Sequence, residues 1–162
     1  MKNYILCLET SSTNCSVSIS KENELVYIKE SDGEGYKHSE FLHSFIEESM
    51  VNSKLKYDQL MAVSVGIGPG SYTGLRIGLS SAKGICYSKD IPLITINSLE
   101  ILAHKYKTIN DEILVPMFDA RRKEVYFSIF DKNHKLLKPP TSRILSEDFF
   151  KDFPNKKKVI FG

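Results

Sequence analysis

Apolar and polar positions recur with regular periods along most of the chain. The runs YILCL (4–8) and CSVSI (15–19) flank the polar turn ETSSTN, and ELVYIK (24–29) follows KEN; β-rich runs bounded by turn residues predict three strands in a meander. In SEFLHSFIEESM (39–50), Phe41, Leu42, Phe45 and Ile46 fall at helical spacing while Glu40, Glu47 and Glu48 lie elsewhere on the wheel, which predicts an amphipathic helix. LMAVSVGI (60–67) reads as a buried strand, and the glycine-rich stretch after it leads into a helix over about 71–88. PLITI (92–96) is another strand, and Asn97 with Glu100 three residues later marks the start of the helix SLEILAHKY. Strands return with ILVPMF (113–118) and VYFSIF (125–130) on either side of DARRKE. Residues 147–153 predict at most a short helix, and KKKVIF reads as a last strand.

The order is therefore βββαβαβα followed by a second set of strands. A meander joined to helix–strand units predicts an α/β layer architecture with a mixed sheet covered by helices. The expected division is a first lobe over 1–110 and the beginning of a second, incomplete lobe over 111–162, because a lone terminal strand would leave an unpaired edge. The 162 residues, 41% hydrophobic and 26% charged, are enough for one domain or two small lobes. A net charge of +2 gives no global basic field, so any RNA role is local or indirect. Cys7, Cys15 and Cys86 form no CxxC pair and are odd in number, which favours reduced thiols. The opening MKNYILCLET is too short for a signal h-region, and no run approaches the ~20 apolar residues of a membrane span. The expected location is the cytoplasm.

SVGIGPGSYTGLRIGLSSAKGI (64–85) is the most unusual segment. It fails as a Walker loop, since Lys83 precedes Gly84 and no Ser or Thr follows, and Gly68, Gly70 and Gly74 do not keep the dinucleotide spacing. The turn ETSSTN offers donors and hydroxyls to an anion or serves as an ordinary hairpin turn. Ser71 is placed to cap the helix that follows. Along that helix Gly74, Gly78 and Ala82 recur every four residues beside Ser81 and Ile85, a spacing that lets another backbone come close. Two readings stand: the face packs on the domain's own sheet, or it receives a partner.

Catalytic constellations are not evident. His38 and His43 are five residues apart, and His104 and His134 stand alone, so each is expected to be a solvated or capping histidine and no metal is expected. Neither H-E-x-x-H nor G-x-S-x-G occurs. Arg121, Arg122 and Lys123 in DARRKEVY either contact nucleic-acid phosphates or solvate a hairpin.

LCLETSSTNCSVSI, HSEFL, GIGPGSYTGLRIGLSSAKGI, NSLEILA and DARRKEVY, in this order from about Ile5 to Tyr126, resemble the TsaB family of tRNA threonylcarbamoyladenosine biosynthesis. The GPGSYTGLRIG core is the most specific part. The resemblance implies the ribonuclease-H-like, actin-like ATPase fold and a non-catalytic role beside a TsaD-type subunit, which carries the transfer chemistry, with a TsaE-type ATPase in the larger complex. Family members run past this endpoint to complete a second lobe. Glu9 stands where relatives carry an acidic residue, often Asp, which in this fold helps to hold metal-bound phosphate. The candidate nucleotide residues are Glu9, Thr10, Ser11 and Ser12; no cofactor is expected on this chain alone, with ATP or ADP placed at the partner interface. The candidate partner-binding residues are Phe41, Leu42, Phe45, Gly74, Gly78, Ser81, Ala82 and Ile85, on helix faces expected to form one surface for the TsaD-type subunit or a second copy. On that reading Ala82→Arg keeps the fold and loses the partner. The alternative function is an ATPase or small-molecule kinase of the same fold.

Overall fold

The structure, a computed structural model, describes residues 3–31, 38–107, 112–151 and 157–162. The chain folds as two compact units that divide after Ile96.

The first unit contains β1 (Tyr4–Glu9), β2 (Cys15–Lys21), β3 (Glu24–Ser31), α1 (His38–Asn52), β4 (Leu60–Gly66), α2 (Tyr72–Lys89) and β5 (Leu93–Ile96). The sheet order is β3-β2-β1-β4-β5. β1, β2 and β3 are antiparallel neighbours, and β4 and β5 run parallel to β1. Glu22 and Asn23 join β2 to β3 with φ of 49° and 71°, the backbone sign that matches a tight hairpin to strand twist. The parallel strands are reached through helices, as parallel pairing requires. In β2 the period is two: Cys15, Val17 and Ile19 are buried, while Ser16, Ser18 and Ser20 face the other way and are half-buried. β4 is buried along nearly its whole length, as a central strand must be.

Leu42, Phe45, Ile46 and Met50 of α1 and Ala82 and Cys86 of α2 close over Leu6, Leu8, Val17, Ile19, Val63 and Val65 in one core. α1 is also fastened to β3, because Tyr27 Oη and Lys29 Nζ both donate to Glu48 Oε1 at 3.0 Å. These two bonds hold the Glu48 carboxyl below its usual range, Lys29 contributing more.

The second unit contains α3 (Ser98–His104), β6 (Glu112–Asp119), β7 (Glu124–Phe130), β8 (Leu136–Ile144) and β9 (Lys157–Phe161), with sheet order β8-β7-β6-β9. β6 is antiparallel to β7, β7 is antiparallel to β8, and β9 is parallel to β6. This repeats the β3-β2-β1-β4 arrangement of the first sheet, so the second unit opens like the first. α3 follows the first unit's last strand in sequence, yet it packs on β6 and β7. β8 has no counterpart in the sequence reading, because Pro139 and Pro140 interrupt its pattern. It is tolerated as an edge strand, where a missing N–H costs least, and its register with β7 shifts around Ile129. Residues 147–151 form turns rather than a helix, and they place Phe149 against Phe127 at 4.7 Å between ring centroids.

β6 and β7 are joined by a tight turn closed by Ala120 N–H to Glu124 O and Glu124 N–H to Arg121 O, both 2.9 Å. Arg121, Arg122 and Lys123 have φ of 67°, 53° and 61°. This left-handed region costs a residue with a Cβ roughly 1–2 kcal/mol. After allowing for glycine's greater entropy loss, Lys123→Gly is expected to stabilise the chain by about 0.5–1 kcal/mol. The urea midpoint measures this, and an unchanged or lower midpoint would contradict the left-handed turn.

Candidate functional site

The glycine loop between β4 and α2 sits directly on the β1–β2 turn. A Cβ on Gly66 would collide with the Glu9 carboxylate, and one on Gly70 would run into the Ser11 backbone. Gly68 and Gly70 have φ of 91° and 148°, values that L side chains rarely adopt. Ser71 N–H donates to Ser11 O at 2.6 Å and Thr10 Oγ1 donates to Gly74 O at 2.8 Å. The Glu9 carboxylate turns back to accept Ser11 N–H at 2.8 Å. Ser71 caps α2 by accepting Gly74 N–H at 3.2 Å, as its position in the sequence implies.

These contacts bear on the nucleotide residues. Thr10 and Ser11 are buried beneath the glycine loop, with the Thr10 hydroxyl and the Ser11 carbonyl already engaged. The chain's own α2 entry packs on this part of the turn, and of the four candidate residues only Glu9 and Ser12 are partly exposed. Thr10 thus packs beneath the glycine loop, whereas the buried Ser11 hydroxyl has no hydrogen-bond partner among the described residues.

The small-residue face of α2 answers the second question. Gly74, Gly78, Ala82 and Cys86 are its buried positions, and a Cβ on Gly78 would meet Thr10 Oγ1. Ala82 is 0% exposed. The expectation that Gly74, Gly78 and Ala82 receive a partner is therefore corrected: they let α2 lie against the end of β1 and the sheet beneath. Leu42 and Phe45 are corrected likewise, since both belong to the core under α1. Phe41 is half-buried, stacked 5.5 Å from Phe45 between ring centroids.

Of the partner residues, Ser81 and Ile85 do reach the surface, beside a groove that α1 and α2 form together. His43, Thr73, Arg76, Ile77, Ser80 and Ser81 line its main part, a volume of about 490 Å³. Gly84 and Ile85 extend it along α2. His43 Nε2 lies 3.4 Å from Ser81 Oγ and bridges the helices. Gly84 is exposed, and a Cβ there would touch nothing within 4 Å. An interior helix glycine costs roughly 1 kcal/mol relative to alanine, and the described chain supplies no close contact that offsets this at Gly84. Sequence reasoning missed His43, Thr73, Arg76, Ser80 and Gly84. The available signal was a second run of small and polar residues at 73, 80–81 and 84, around Ile77 and one step around the helix from the buried stripe.

Elsewhere, His134 caps α3: its Nε2 lies 3.2 Å from Ala103 O and 3.0 Å from Tyr106 O, and carbonyls only accept, so this nitrogen carries the hydrogen. His104 stacks on its ring at 4.3 Å between centroids. The His38 side chain lies outside the described residues. Among the described residues no three or more His, Cys, Asp and Glu side chains come together as a metal would need. Cys15 and Cys86 are buried free thiols and Cys7 is half-buried; burial pushes the Cys15 thiol up to about 11. No helix among the described residues is long and apolar enough to cross a membrane.

The model of the family described as "TsaD: tRNA N6-adenosine threonylcarbamoyltransferase" matches residues 35–151. The chain is 36% identical over 125 residues to a Haemophilus influenzae protein named tRNA threonylcarbamoyladenosine biosynthesis protein TsaB, covering 76% of this chain and 52% of that one. A Bacillus subtilis protein of the same name is 28% identical over 163 residues, covering 96% and 68%. The chain thus spans about half to two thirds of the length of these relatives. YeaZ from Pseudomonas aeruginosa has the same fold, with a TM-score of 0.75 at 23% identity over 91% of this chain and 68% of that one. With relatives that carry the TsaB name aligned over 76% and 96% of its residues, the chain belongs to the TsaB family.

Proposed function

We propose that this chain is a non-catalytic accessory subunit in the synthesis of threonylcarbamoyladenosine in tRNA, docking a TsaD-type catalytic subunit in the groove between α1 and α2. The observation that carries the docking site is Gly84: a helix-interior glycine on an exposed groove, with room for another backbone and no contact of its own. Ser81, Ile85, Ile77 and Thr73 give the groove a mixed apolar and hydroxyl lining suited to a second pair of helices. A second copy of the chain would use the same groove when the partner is absent. A TsaE-type ATPase joins the larger complex, and the location is the cytoplasm. ATP or ADP belongs to the partner interface, because the β1–β2 turn of this chain packs against its own glycine loop.

Gly84→Arg tests this, since the fold loses nothing at that position. Helical signal and thermal midpoint are expected to be kept or raised, while co-purification with the TsaD-type subunit falls at least tenfold. A folded variant that captures the partner as well as the parent would place the docking surface elsewhere.

A further inference from the structure

The turn between β6 and β7 presents three consecutive cations, Arg121, Arg122 and Lys123, all exposed. None of the three has an ion-pair partner among the described residues. Their backbone is held from several directions: Arg121 N–H donates to Asp119 Oδ1 at 2.8 Å, Glu124 N–H to Arg121 O at 2.9 Å, and Leu145 N–H to Lys123 O at 2.9 Å. All three keep left-handed φ angles that glycine or asparagine would adopt at far lower cost. A tight hairpin needs the left-handed backbone, as Glu22 and Asn23 show in the β2–β3 turn, but a solvated one does not need three adjacent cations without an ion-pair partner.

Phe118 and Tyr126 stand directly opposite each other behind the turn. They alternate with Val125 and Phe127, which face the core, so they share the other face of the sheet, and both are half-buried. Exposed cations at a tip with aromatic side chains behind it suit a single-stranded nucleic acid, whose phosphates pair with the cations and whose neighbouring base stacks. An acidic peptide would use the cations and leave the aromatic pair without a role.

We infer that the turn Asp119–Glu124 contacts the phosphate backbone of the tRNA whose modification the chain assists. The contact is sequence-independent and positions the RNA. It rests on the tRNA-modification reading above, and it adds a surface on the second unit to the docking groove of the first.

The test is fluorescence anisotropy of a labelled tRNA transcript titrated with the full chain across roughly 50–200 mM salt. Each lost phosphate contact removes about 0.7–0.9 from the slope of log affinity against log salt. The double variant Arg121→Ala/Arg122→Ala is expected to bind about tenfold or more weakly and to lose about 1.5 from that slope. Arg121→Lys/Arg122→Lys keeps most of both. Lys123→Gly, which relieves the turn, still weakens binding severalfold, so loss of binding is separated from loss of fold. Unchanged affinity and slope in the folded double variant overturns the inference, as does a parent chain that binds no tRNA at about 50 mM salt. Loss of partner capture with tRNA binding intact would assign the turn to an acidic protein surface and also overturn it. Gly84→Arg serves as the cross-control: it cuts partner capture and leaves the salt slope alone, so the docking reading and the RNA reading fail separately.

Discussion

In Ala82→Arg, soluble yield and the cooperative melting of the first unit are expected to collapse. Ala82 is 0% exposed and sits in the core beneath α2. A guanidinium there has no room and no counter-charge, and an unpaired buried charge costs several kcal/mol. That is comparable with the roughly 5–15 kcal/mol that holds a whole domain together. The neighbouring Ser81→Arg separates position from charge: Ser81 is half-buried at the groove, so this variant is expected to stay folded and to lose the partner. Circular dichroism and thermal melting of the pair decide the matter. A folded Ala82→Arg with a near-parental midpoint would return the glycine face to the surface.

The second large effect is expected at Gly70. Its φ of 148° is a conformation that side chains rarely adopt, and a Cβ would run into the Ser11 backbone, which cannot rotate away as a flexible side chain does. Backbone strain of about 1–3 kcal/mol and overpacking of a similar size together give a loss of roughly 2–6 kcal/mol for Gly70→Val. Gly84→Val, in open space on the same segment, is expected to cost nothing measurable. Urea denaturation of both variants measures the difference. Equal midpoints would mean that the glycine loop is not packed on the β1–β2 turn.

Local pattern was enough for most of the secondary structure. The period of two in β2, the helical spacing in α1 and the caps at Ser71 and Asn97 all depend on neighbours a few residues away, and all appear as read. The order of these elements also carried the α/β class, because a meander followed by helix–strand units leaves few ways to bury every apolar face.

β8 was hidden because two prolines erase the strand signal, and only its place at a sheet edge makes them tolerable. The left-handed turn at 121–123 gives no sequence signal either, since it lacks the glycine or asparagine that usually marks one. The direction of the small-residue stripe was the hardest to read. Small residues every four positions admit a close backbone, and that geometry is the same whether the backbone belongs to the chain or to a partner. What decided it is the Thr10 side chain against Gly78, a contact between residues 68 positions apart that no local window contains. The sequence by itself determined that α2 would be approached closely on one face; the tertiary structure decided that its own sheet does so, and left Gly84 exposed on the groove at the other side.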